Sequence, residues 1–423
     1  MTTVSTANSS TRAATAPARR YRLGVIGCGA RGETFARQLN SGYAGTQLAG
    51  LCDLDADRLQ RFAEYCGLQN VLRSTDPAAF LVDPTVDGVV ITTPEFTHAD
   101  IAVRALELGK HVYLEKPLAH TLTDCQRIVE AARQSKGTAF LGFNMRALPA
   151  YQKLHEIMRS GVLGKVLHIS GIEQMKVAHG AAYMRRWHRR ASRSGGVLNT
   201  KCSHDLDMLQ YLIGHEHKVT RISSFGSNSV FTSQPAPAPR CSVCPAEIQQ
   251  TCRYRDKPGF VFPVHAPQAI YKQKDAEIYG NDLCVYNTDK DVIDNQTIII
   301  EWDNGVHGNF NLQMFAHAGL RATEVWGEYA KAIVRQEDHA AFVEVIDSRT
   351  GDRTMHHIAP RQGDHHGADP HMLPRFVDAI EGRNDPQSGM LEGLAASLVA
   401  LKADEARLTG KVVTIDPRDY MRP

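Results

Sequence analysis

The sequence predicts an α/β fold in which a doubly wound parallel sheet is followed by an α+β domain with a large, open, mostly antiparallel sheet. Strand-like and helix-like segments alternate from Tyr21 to about Asn144, which is typical of a parallel sheet covered by helices. Beyond Pro149 the strand-like runs become longer and more dispersed, and Asp303-Asn304-Gly305 between two of them indicates a hairpin. The change in pattern near residue 146 therefore predicts two domains.

The first strand and helix enclose a glycine-rich turn. An apolar strand at 23–26 leads into Gly27-Cys28-Gly29-Ala30-Arg31-Gly32, and a helix-like segment follows at 33–40. In this order Gly27 permits a tight turn, Gly29 lets the backbone approach a pyrophosphate, and Gly32 lets the helix pack closely against the strand. The phosphates would bind the free N–H groups at the helix N-terminus. The arrangement predicts a Rossmann dinucleotide-binding domain.

Asp53 ends the second strand-like run, at 47–52, about 20 residues beyond the last glycine. A carboxylate in this place accepts hydrogen bonds from the adenosine ribose hydroxyls and repels a 2′-phosphate, so NAD is favoured over NADP. Arg58, about one helical turn further on, softens the preference and leaves NADP open. A second interpretation of Asp53 is the N-cap of a helix that starts near Ala56.

Polar residues follow two later strands of the predicted parallel sheet. The remaining elements of this domain are predicted as strands at 89–93, 111–114 and 139–143 and helices at 97–108 and 121–135. Ligands of doubly wound sheets bind at the carboxyl ends of the strands. Thr93-Pro94 with His98 follows one such end, and Glu115-Lys116-Pro117 follows the next. Thr93, Pro94, His98, Glu115 and Lys116 are therefore further candidates for cofactor contacts.

We assign residues 21–145 to an NAD(P)-binding Rossmann domain and residues 146–423 to a substrate and oligomerisation domain. The Ser-, Thr- and Ala-rich residues 1–20 are predicted to form a disordered tail. A late helix at 391–408 is expected to pack back on the Rossmann domain, and residues 233–267, rich in Pro and Cys, are expected to form an insertion. The other predicted elements are a helix at 151–159 and strands at 166–174, 219–225, 297–302, 306–312, 332–335 and 412–415.

Composition narrows the class of protein. The chain has 423 residues, 43% of them hydrophobic and 22% charged, which is ordinary for a globular enzyme of two domains. A net charge of +2 gives no reason to expect a nucleic acid or an anionic membrane as a partner. No apolar run approaches the roughly 18 residues that span a bilayer. Residues 1–20 lack the apolar core of a secretory signal, so a cytoplasmic location is expected.

Four cysteines of the second domain form a candidate metal site. Cys241, Cys244 and Cys252 are closely spaced in the predicted insertion, and Cys284 is a candidate fourth ligand. A C-x2-C turn with a third thiolate suits a structural tetrahedral zinc, and an iron–sulfur cluster has similar ligand needs. The alternative is a set of reduced loop thiols, because the strong pattern of two C-x2-C pairs is missing.

Three motifs together resemble the Gfo/Idh/MocA family (glucose–fructose oxidoreductase, inositol dehydrogenase, rhizopine catabolism) over nearly the whole chain after residue 20. They are the glycine-rich turn, Glu115-Lys116-Pro117, and Gly195-Gly196-Val197-Leu198 running into His204-Asp205-Leu206-Asp207. The resemblance implies an NAD(P)-dependent oxidoreductase that acts on a hydroxyl or keto group of a sugar, polyol or cyclitol. It also implies that Lys116 orients and polarises the reacting C–O group and that His204 is the acid/base.

Residues around His204 depart from the family pattern. Members often carry an aspartate four residues before the histidine, where this chain has Thr200, followed by Lys201. Lys201 brings a second cation near the reacting centre and is an alternative to His204 as the group that takes the hydroxyl proton. On a helix starting near Cys202, Asp207 lies on the same face as His204, so it can orient the imidazole or bind a substrate hydroxyl.

Two further segments have open interpretations. The Arg-rich run 183–189 is either a substrate- or cofactor-facing loop or a solvated basic face. The resemblance suggests that the loop 353–371 borders the substrate cleft, with His366 and Asp369 as sugar contacts.

Two alternative functions keep the same fold. One is a redox-neutral glycosidase that holds NAD tightly, and the other is a non-catalytic, nucleotide-sensing regulatory protein. Retention of Lys116 and His204 argues against the second, because a binding module has no need of them. In either enzymatic interpretation we expect a small sugar or cyclitol as substrate and a homo-oligomer, either a dimer or a tetramer.

Overall fold

A computed structural model describes residues 21–232, 236–255, 282–286, 288–337, 340–359, 361, 364–383 and 388–421. The predicted tail at 1–20 lies outside the described residues, and so do residues 233–235 and 256–267 of the predicted insertion.

The first domain contains a six-stranded sheet in the order β3-β2-β1-β4-β5-β6, and every pairing in it is parallel. This is the strand order of a doubly wound dinucleotide-binding sheet, which confirms the predicted fold class. Strand β3 and the helix after it are additions to the predicted elements. The strands are β1 (Tyr21–Ile26), β2 (Thr46–Cys52), β3 (Leu72–Ser74), β4 (Gly88–Ile91), β5 (His111–Leu114) and β6 (Ala139–Leu141).

Helices cover both faces of this sheet. They are α1 (Ala30–Asn40), α2 (Ala56–Cys66), α3 (Pro77–Val82), α4 (His98–Glu107) and α5 (Leu122–Gln134). Helix α2 starts at Ala56 as the sequence predicts, but its N-cap is Asp55, whose side chain accepts from the Arg58 N–H. The capping interpretation of Asp53 is therefore wrong, and its carboxylate has other partners.

The described part of the second domain contains a nine-stranded sheet in the order β14-β13-β12-β11-β7-β10-β9-β8-β15. Only β7 and β10 pair in parallel, so the sheet is mostly antiparallel, as predicted. The strands are β7 (Val166–Lys176), β8 (Val219–Ser227), β9 (Asn295–Trp302), β10 (His307–Ala316), β11 (Leu320–Gly327), β12 (Ala330–Glu337), β13 (Ala341–Asp347), β14 (Arg353–Ile358) and β15 (Val413–Thr414).

The helices of the second domain are α6 (Pro149–Arg159), α7 (Val177–Tyr183), α8 (Ala191–Ser194), α9 (Val197–Ile213), α10 (Ala246–Thr251), α11 (Met372–Ile380) and α12 (Met390–Thr409). Helix α9 is almost entirely buried, and it begins five residues earlier than the predicted start near Cys202. The helix therefore includes Thr200 and Lys201, so both residues lie on the same helix as His204.

Helix α12 joins the two domains, because it contacts α5 and β6 of the first domain and α9 and β8 of the second. The packing is close at Gly393, where an added Cβ would lie 2.4 Å from Leu141 Cδ2. Just before the helix, the backbone carbonyl of Ser388 accepts a hydrogen bond of 2.9 Å from the Leu141 N–H. Within the described ranges, no helix is long and apolar enough to cross a membrane.

Candidate active site

The glycine-rich turn between β1 and α1 is tightly packed and leaves backbone N–H groups for a ligand. Gly27 has a φ of +102°, and an added Cβ would lie 2.9 Å from the backbone of Thr92. At Gly32 an added Cβ would lie 2.1 Å from the Gly27 carbonyl oxygen, so only glycine fits there. Gly29 is the N-cap of α1 and forms no side-chain hydrogen bond. The first N–H groups of α1 therefore stay available for phosphate. These residues fit the pyrophosphate of a dinucleotide.

Asp53 lies immediately after β2 and is buried. Its Oδ2 accepts a hydrogen bond of 2.9 Å from the Cys28 N–H, and its Oδ1 lies 3.1 Å from Nη1 of Arg58. The acid therefore stabilises the glycine-rich turn directly. Asp53 is also ion-paired with Arg58, the cation that lies about one helical turn further along the sequence. Arg58 reduces the repulsion that Asp53 exerts on a 2′-phosphate without removing the carboxylate.

His98 links the ends of two neighbouring strands. Its Nε2 lies 2.9 Å from the carbonyl oxygen of Thr93, and its Nδ1 lies 3.0 Å from the carbonyl oxygen of Pro117. The ring is 1% exposed. Thr93 accepts a hydrogen bond from Thr97 at 2.8 Å, and Pro94 begins the short 3-10 turn Glu95–Thr97. His98 thus acts by positioning the two turns that follow β4 and β5.

Arg31 connects the glycine-rich turn to the late part of the chain. Its guanidinium lies 2.6 Å from Glu115 and 2.6 Å from Asp369, and both carboxylates are buried. Asp369 also accepts a hydrogen bond of 2.9 Å from Asn144 and lies 2.8 Å from Nδ1 of His365. Although burial by itself raises the pKa of Asp369, the charge of Arg31 holds that pKa well below its usual range. The loop near residue 369 is thereby fixed against the cofactor turn.

Lys116 reaches from the end of β5 to helix α9 of the second domain. Its Nζ donates a hydrogen bond of 2.8 Å to the carbonyl oxygen of Thr200. Burial, followed by the charge of Lys201, lowers the pKa of Lys116 to about 8. A lysine with this pKa is partly deprotonated near neutral pH. Perturbed pKa values of this kind are typical of active sites.

Lys201 belongs to a buried charge network. Its Nζ lies 3.1 Å from Glu173, which in turn lies 2.7 Å from Arg321. Arg321 also lies 3.1 Å from Asp205, and burial raises the pKa of Asp205 to about 6 against the charge of Arg321. Two cations and two carboxylates therefore balance one another beside Lys116, and this network positions Lys201.

His204 lies one turn after Lys201 on α9. The residue is 6% exposed, and its ring contacts Phe143 at a centroid distance of 5.9 Å. Among the described residues its Nδ1 has no hydrogen-bond partner. Burial, followed by the charges of Lys116 and Arg321, lowers the pKa of His204 well below its usual value. The imidazole is thus neutral at pH 7 and can accept a proton.

Asp207 has a different partner from the one that its spacing suggests. Its oxygens accept hydrogen bonds of 2.8 and 2.5 Å from Nε and Nη2 of Arg146, and both side chains are 1% exposed. The expectation that Asp207 orients His204 or binds a substrate hydroxyl is corrected accordingly. A bidentate guanidinium in the same buried layer uses both oxygens of the carboxylate.

The Arg-rich run 183–189 is buried, so the interpretation as a solvated basic face is wrong. Arg185, Arg186 and Arg189 are 3%, 6% and 8% exposed. Trp187 donates a hydrogen bond of 2.7 Å to Glu95, just beyond β4. The run therefore packs against the strand ends of the first domain.

The cysteine cluster gives no support for a metal site. Cys241, Cys244, Cys252 and Cys284 are free thiols. Burial, followed by the neighbouring sulfurs of Cys284, Cys241 and Cys252, raises the pKa of the Cys244 thiol. In the part of the chain that the structure describes, no three His, Cys, Asp or Glu side chains are placed to hold a metal ion.

Three residues of the site escaped prediction from the sequence. Glu173 and Arg321 face each other across the β7–β11 pairing, and Arg146 lies in the 3-10 turn after β6. For Glu173 a signal exists, since it is a charged residue at a buried position of an alternating strand. Arg321 could not be recognised as a charged residue of a buried strand, because β11 was not among the predicted strands.

Comparisons with known proteins agree with this architecture. A profile described as "Oxidoreductase family, NAD-binding Rossmann fold" matches residues 21–143, and one described as "Oxidoreductase family, C-terminal alpha/beta domain" matches residues 156–415. The chain is similar to the scyllo-inositol 2-dehydrogenase (NAD(+)) of Bacillus subtilis strain 168, with 30% identity over 50% of this chain and 60% of that protein. It is 32% identical to the myo-inositol 2-dehydrogenase of Thermotoga maritima over 46% of this chain and 55% of that protein. These alignments thus span less than two thirds of either relative.

Solved structures share the fold over almost the whole chain. Levoglucosan dehydrogenase in complex with NADH superposes with a TM-score of 0.72 at 17% identity, covering 94% of this chain and 100% of that one. A probable dehydrogenase from Thermotoga maritima gives a TM-score of 0.65 at 22% identity, covering 93% and 98%. At these identities the likeness shows the fold.

Proposed function

The chain belongs to the Gfo/Idh/MocA family of oxidoreductases, and we propose that it is an NAD-dependent dehydrogenase of a cyclitol or sugar hydroxyl. The relatives described above, whose names specify inositol dehydrogenation, support this substrate class. No observation favours the redox-neutral glycosidase or the regulatory protein, so neither is carried further. A cytoplasmic location and a homo-oligomeric assembly stay predictions from the sequence.

One observation carries the proposal: the Lys116 ammonium and the neutral His204 imidazole belong to different domains and meet at the same strand end. The hydrogen bond of 2.8 Å from Lys116 to the Thr200 carbonyl places the lysine against the helix that holds His204. The charge of Lys116, after burial, also lowers the pKa of His204, which supports placing the two groups in one site. A cation beside a proton acceptor is what alcohol oxidation requires.

NAD bound at the glycine-rich turn would accept the hydride that leaves the substrate carbon. The residues of the chain supply the rest of the chemistry. Lys116 donates a hydrogen bond to the substrate oxygen and stabilises the negative charge that develops on it. His204 accepts the hydroxyl proton at a ring nitrogen. The buried surroundings of both groups exclude water and strengthen their effect.

We assign the proton acceptor to His204 rather than Lys201. Lys201 is ion-paired with the buried Glu173 at 3.1 Å, and an ammonium held in such a pair already carries its proton. His204 is neutral, and its Nδ1 is free of hydrogen bonds in the described structure. Lys201 then acts as a positioning charge, which keeps Lys116 close to its point of deprotonation.

We also propose a preference for NAD over NADP. The buried Asp53 carboxylate lies at the end of β2, where it can accept hydrogen bonds from ribose hydroxyls. Arg58 is already paired with that carboxylate at 3.1 Å, so it is not free to bind a 2′-phosphate. The preference is expected to be moderate, because the pair partly neutralises Asp53.

The test is the Lys116→Met variant, which keeps an apolar stem but lacks the charge. We expect folded protein that binds NAD normally and has a kcat lower by about 100- to 1000-fold, because the lost interaction forms in the transition state. NADH production is measured across a panel of cyclitols and sugars. The exposed Lys411, changed to Met, is the matched control and should leave kcat unchanged. Near-normal turnover in Lys116→Met would contradict the assignment of Lys116 to the active site.

A further inference from the structure

A cavity of about 600 Å³ lies behind the proposed active site, between α6, α9 and α11. Its lining includes Arg146, Arg159 and Arg375 but none of Lys116, Lys201 and His204. It is therefore a separate space, but it borders the active-site helix α9, whose Met208 and Tyr211 belong to the lining and whose Asp207 is paired with Arg146. A volume of this order is enough for a small metabolite.

Positive charge in this cavity is not matched by acidic side chains. Glu156 is the only carboxylate among the described residues of the lining, and it is ion-paired with Lys153 at 2.8 Å. Arg159 and Arg375 have no hydrogen-bond or ion-pair partner within the described ranges. Two arginines without counter-charges at one space attract an anion.

Arg146 adds a second, independent observation. It is 4% exposed, and two of its guanidinium nitrogens bind Asp207, but its Nη1 has no hydrogen-bond partner among the described residues. A buried N–H donor without an acceptor costs free energy. An acceptor from outside the chain would satisfy it.

The pKa values of the surrounding groups reflect the same excess of positive charge. Burial, followed by the charges of Arg159 and Arg146, lowers the pKa of His155, and burial with the charge of Arg146 lowers the pKa of Arg375. Tyr211 forms an aromatic wall: its ring stacks on His155 at a centroid distance of 4.4 Å and lies 4.8 Å from the Arg146 guanidinium. The aromatic ring is thus already contacted by His155 and Arg146, and the cavity offers chiefly cations to a ligand.

We propose that this cavity binds a phosphate group, held by Arg146, Arg159 and Arg375, as a site separate from the catalytic cleft. Guanidinium groups match the oxygens of a phosphate, and three of them arranged around one space provide several donors. The source of the group is either free inorganic phosphate or a phosphorylated sugar. Arg146 is paired with Asp207, which belongs to α9. An anion bound to Arg146 would therefore be linked through this pair to the helix that carries His204.

The test is calorimetric titration of the full chain, first with inorganic phosphate and then with glucose 6-phosphate. Saturating NAD is present throughout, so that the pyrophosphate site cannot contribute. Arg375→Gln and the exposed Arg159→Gln are each expected to weaken binding by about 10- to 100-fold, the loss of one charge-assisted contact. Arg104→Gln is the matched control, since Arg104 is paired with Glu107 on the distant helix α4.

Tighter binding of glucose 6-phosphate than of phosphate would identify a phosphorylated metabolite as the ligand. Equal binding of the two would identify the phosphate group alone, and either result supports the site. The proposal is overturned if neither ligand gives saturable heat, or if both bind the Arg375 and Arg159 variants as tightly as the wild type. Thermal unfolding of each variant checks that it is folded.

Discussion

Replacing Asp207 by Asn separates a structural role of this residue from a catalytic one. In the wild type its carboxylate forms two hydrogen bonds to Arg146, and neither side chain is more than 1% exposed. Removing one partner of a buried ion pair costs about 3–5 kcal/mol, because the remaining charge is unpaired. The Asn carbonyl can keep one hydrogen bond, which is worth about 1 kcal/mol. We therefore expect a loss of about 2–4 kcal/mol in the free energy of unfolding.

Urea unfolding measures the stability, and kcat per folded molecule measures the chemistry. Asp100→Asn is the matched control: the side chain of Asp100 is 80% exposed and pairs with Arg127, so its loss should cost less than about 1 kcal/mol. A double variant, Arg146→Met with Asp207→Leu, should recover much of the lost stability, because apolar residues can replace a buried pair. An Asp207→Asn protein with wild-type stability and a kcat lower by about 100-fold would refute the structural assignment.

Three further outcomes are expected. Lys116 has a pKa of about 8 and acts as an ammonium, so kcat/KM should fall above about pH 8; Lys201→Met removes a neighbouring cation, raises the pKa of Lys116, and should move this fall to higher pH in a pH–rate profile. An unchanged profile would contradict the coupling. Asp53→Asn should improve NADP binding relative to NAD by at least about tenfold, since a like charge near the phosphate is removed; wild-type protein that already prefers NADP would exclude the reasoning. Gly32→Ala places a Cβ 2.1 Å from the Gly27 oxygen, and the resulting displacement should weaken NAD binding by about 100-fold in fluorescence titration, whereas normal binding would show that the turn is not the pyrophosphate site.

Local signals were sufficient for the first domain. Glycine spacing, the acid after the second strand and the alternation of apolar segments all depend on residues close in sequence, so the parallel sheet and the place of Asp53 could be predicted. Boundaries were less accurate. Helix α9 extends to Val197 because its first turns are buried between the domains, and burial overrides the weak helix signal of Asn199 and Thr200.

Contacts between distant segments could not be predicted in the same way. Asp207 has the spacing of a partner for His204, but Arg146, 61 residues away, takes both of its oxygens. Arg31 meets Asp369 across 338 residues, and Lys201 meets Glu173 on β7. The Arg31–Asp369 pair depends on how the two domains pack and the other two pairs on how distant elements of the second domain pack, which no spacing within one element encodes.

The sequence by itself determined the class of fold and the cofactor turn, because these follow from short motifs with a fixed local geometry. The resemblance to a known family identified Lys116 and His204 as candidates. Only the tertiary structure decided how the charges are shared: Lys201 with Glu173 and Arg321, Asp207 with Arg146, and a surplus of arginine left around a cavity. The physical reason is that the protonation and partner of a buried group depend on every charge within a few ångströms of it. Folding brings most of those charges from distant parts of the chain.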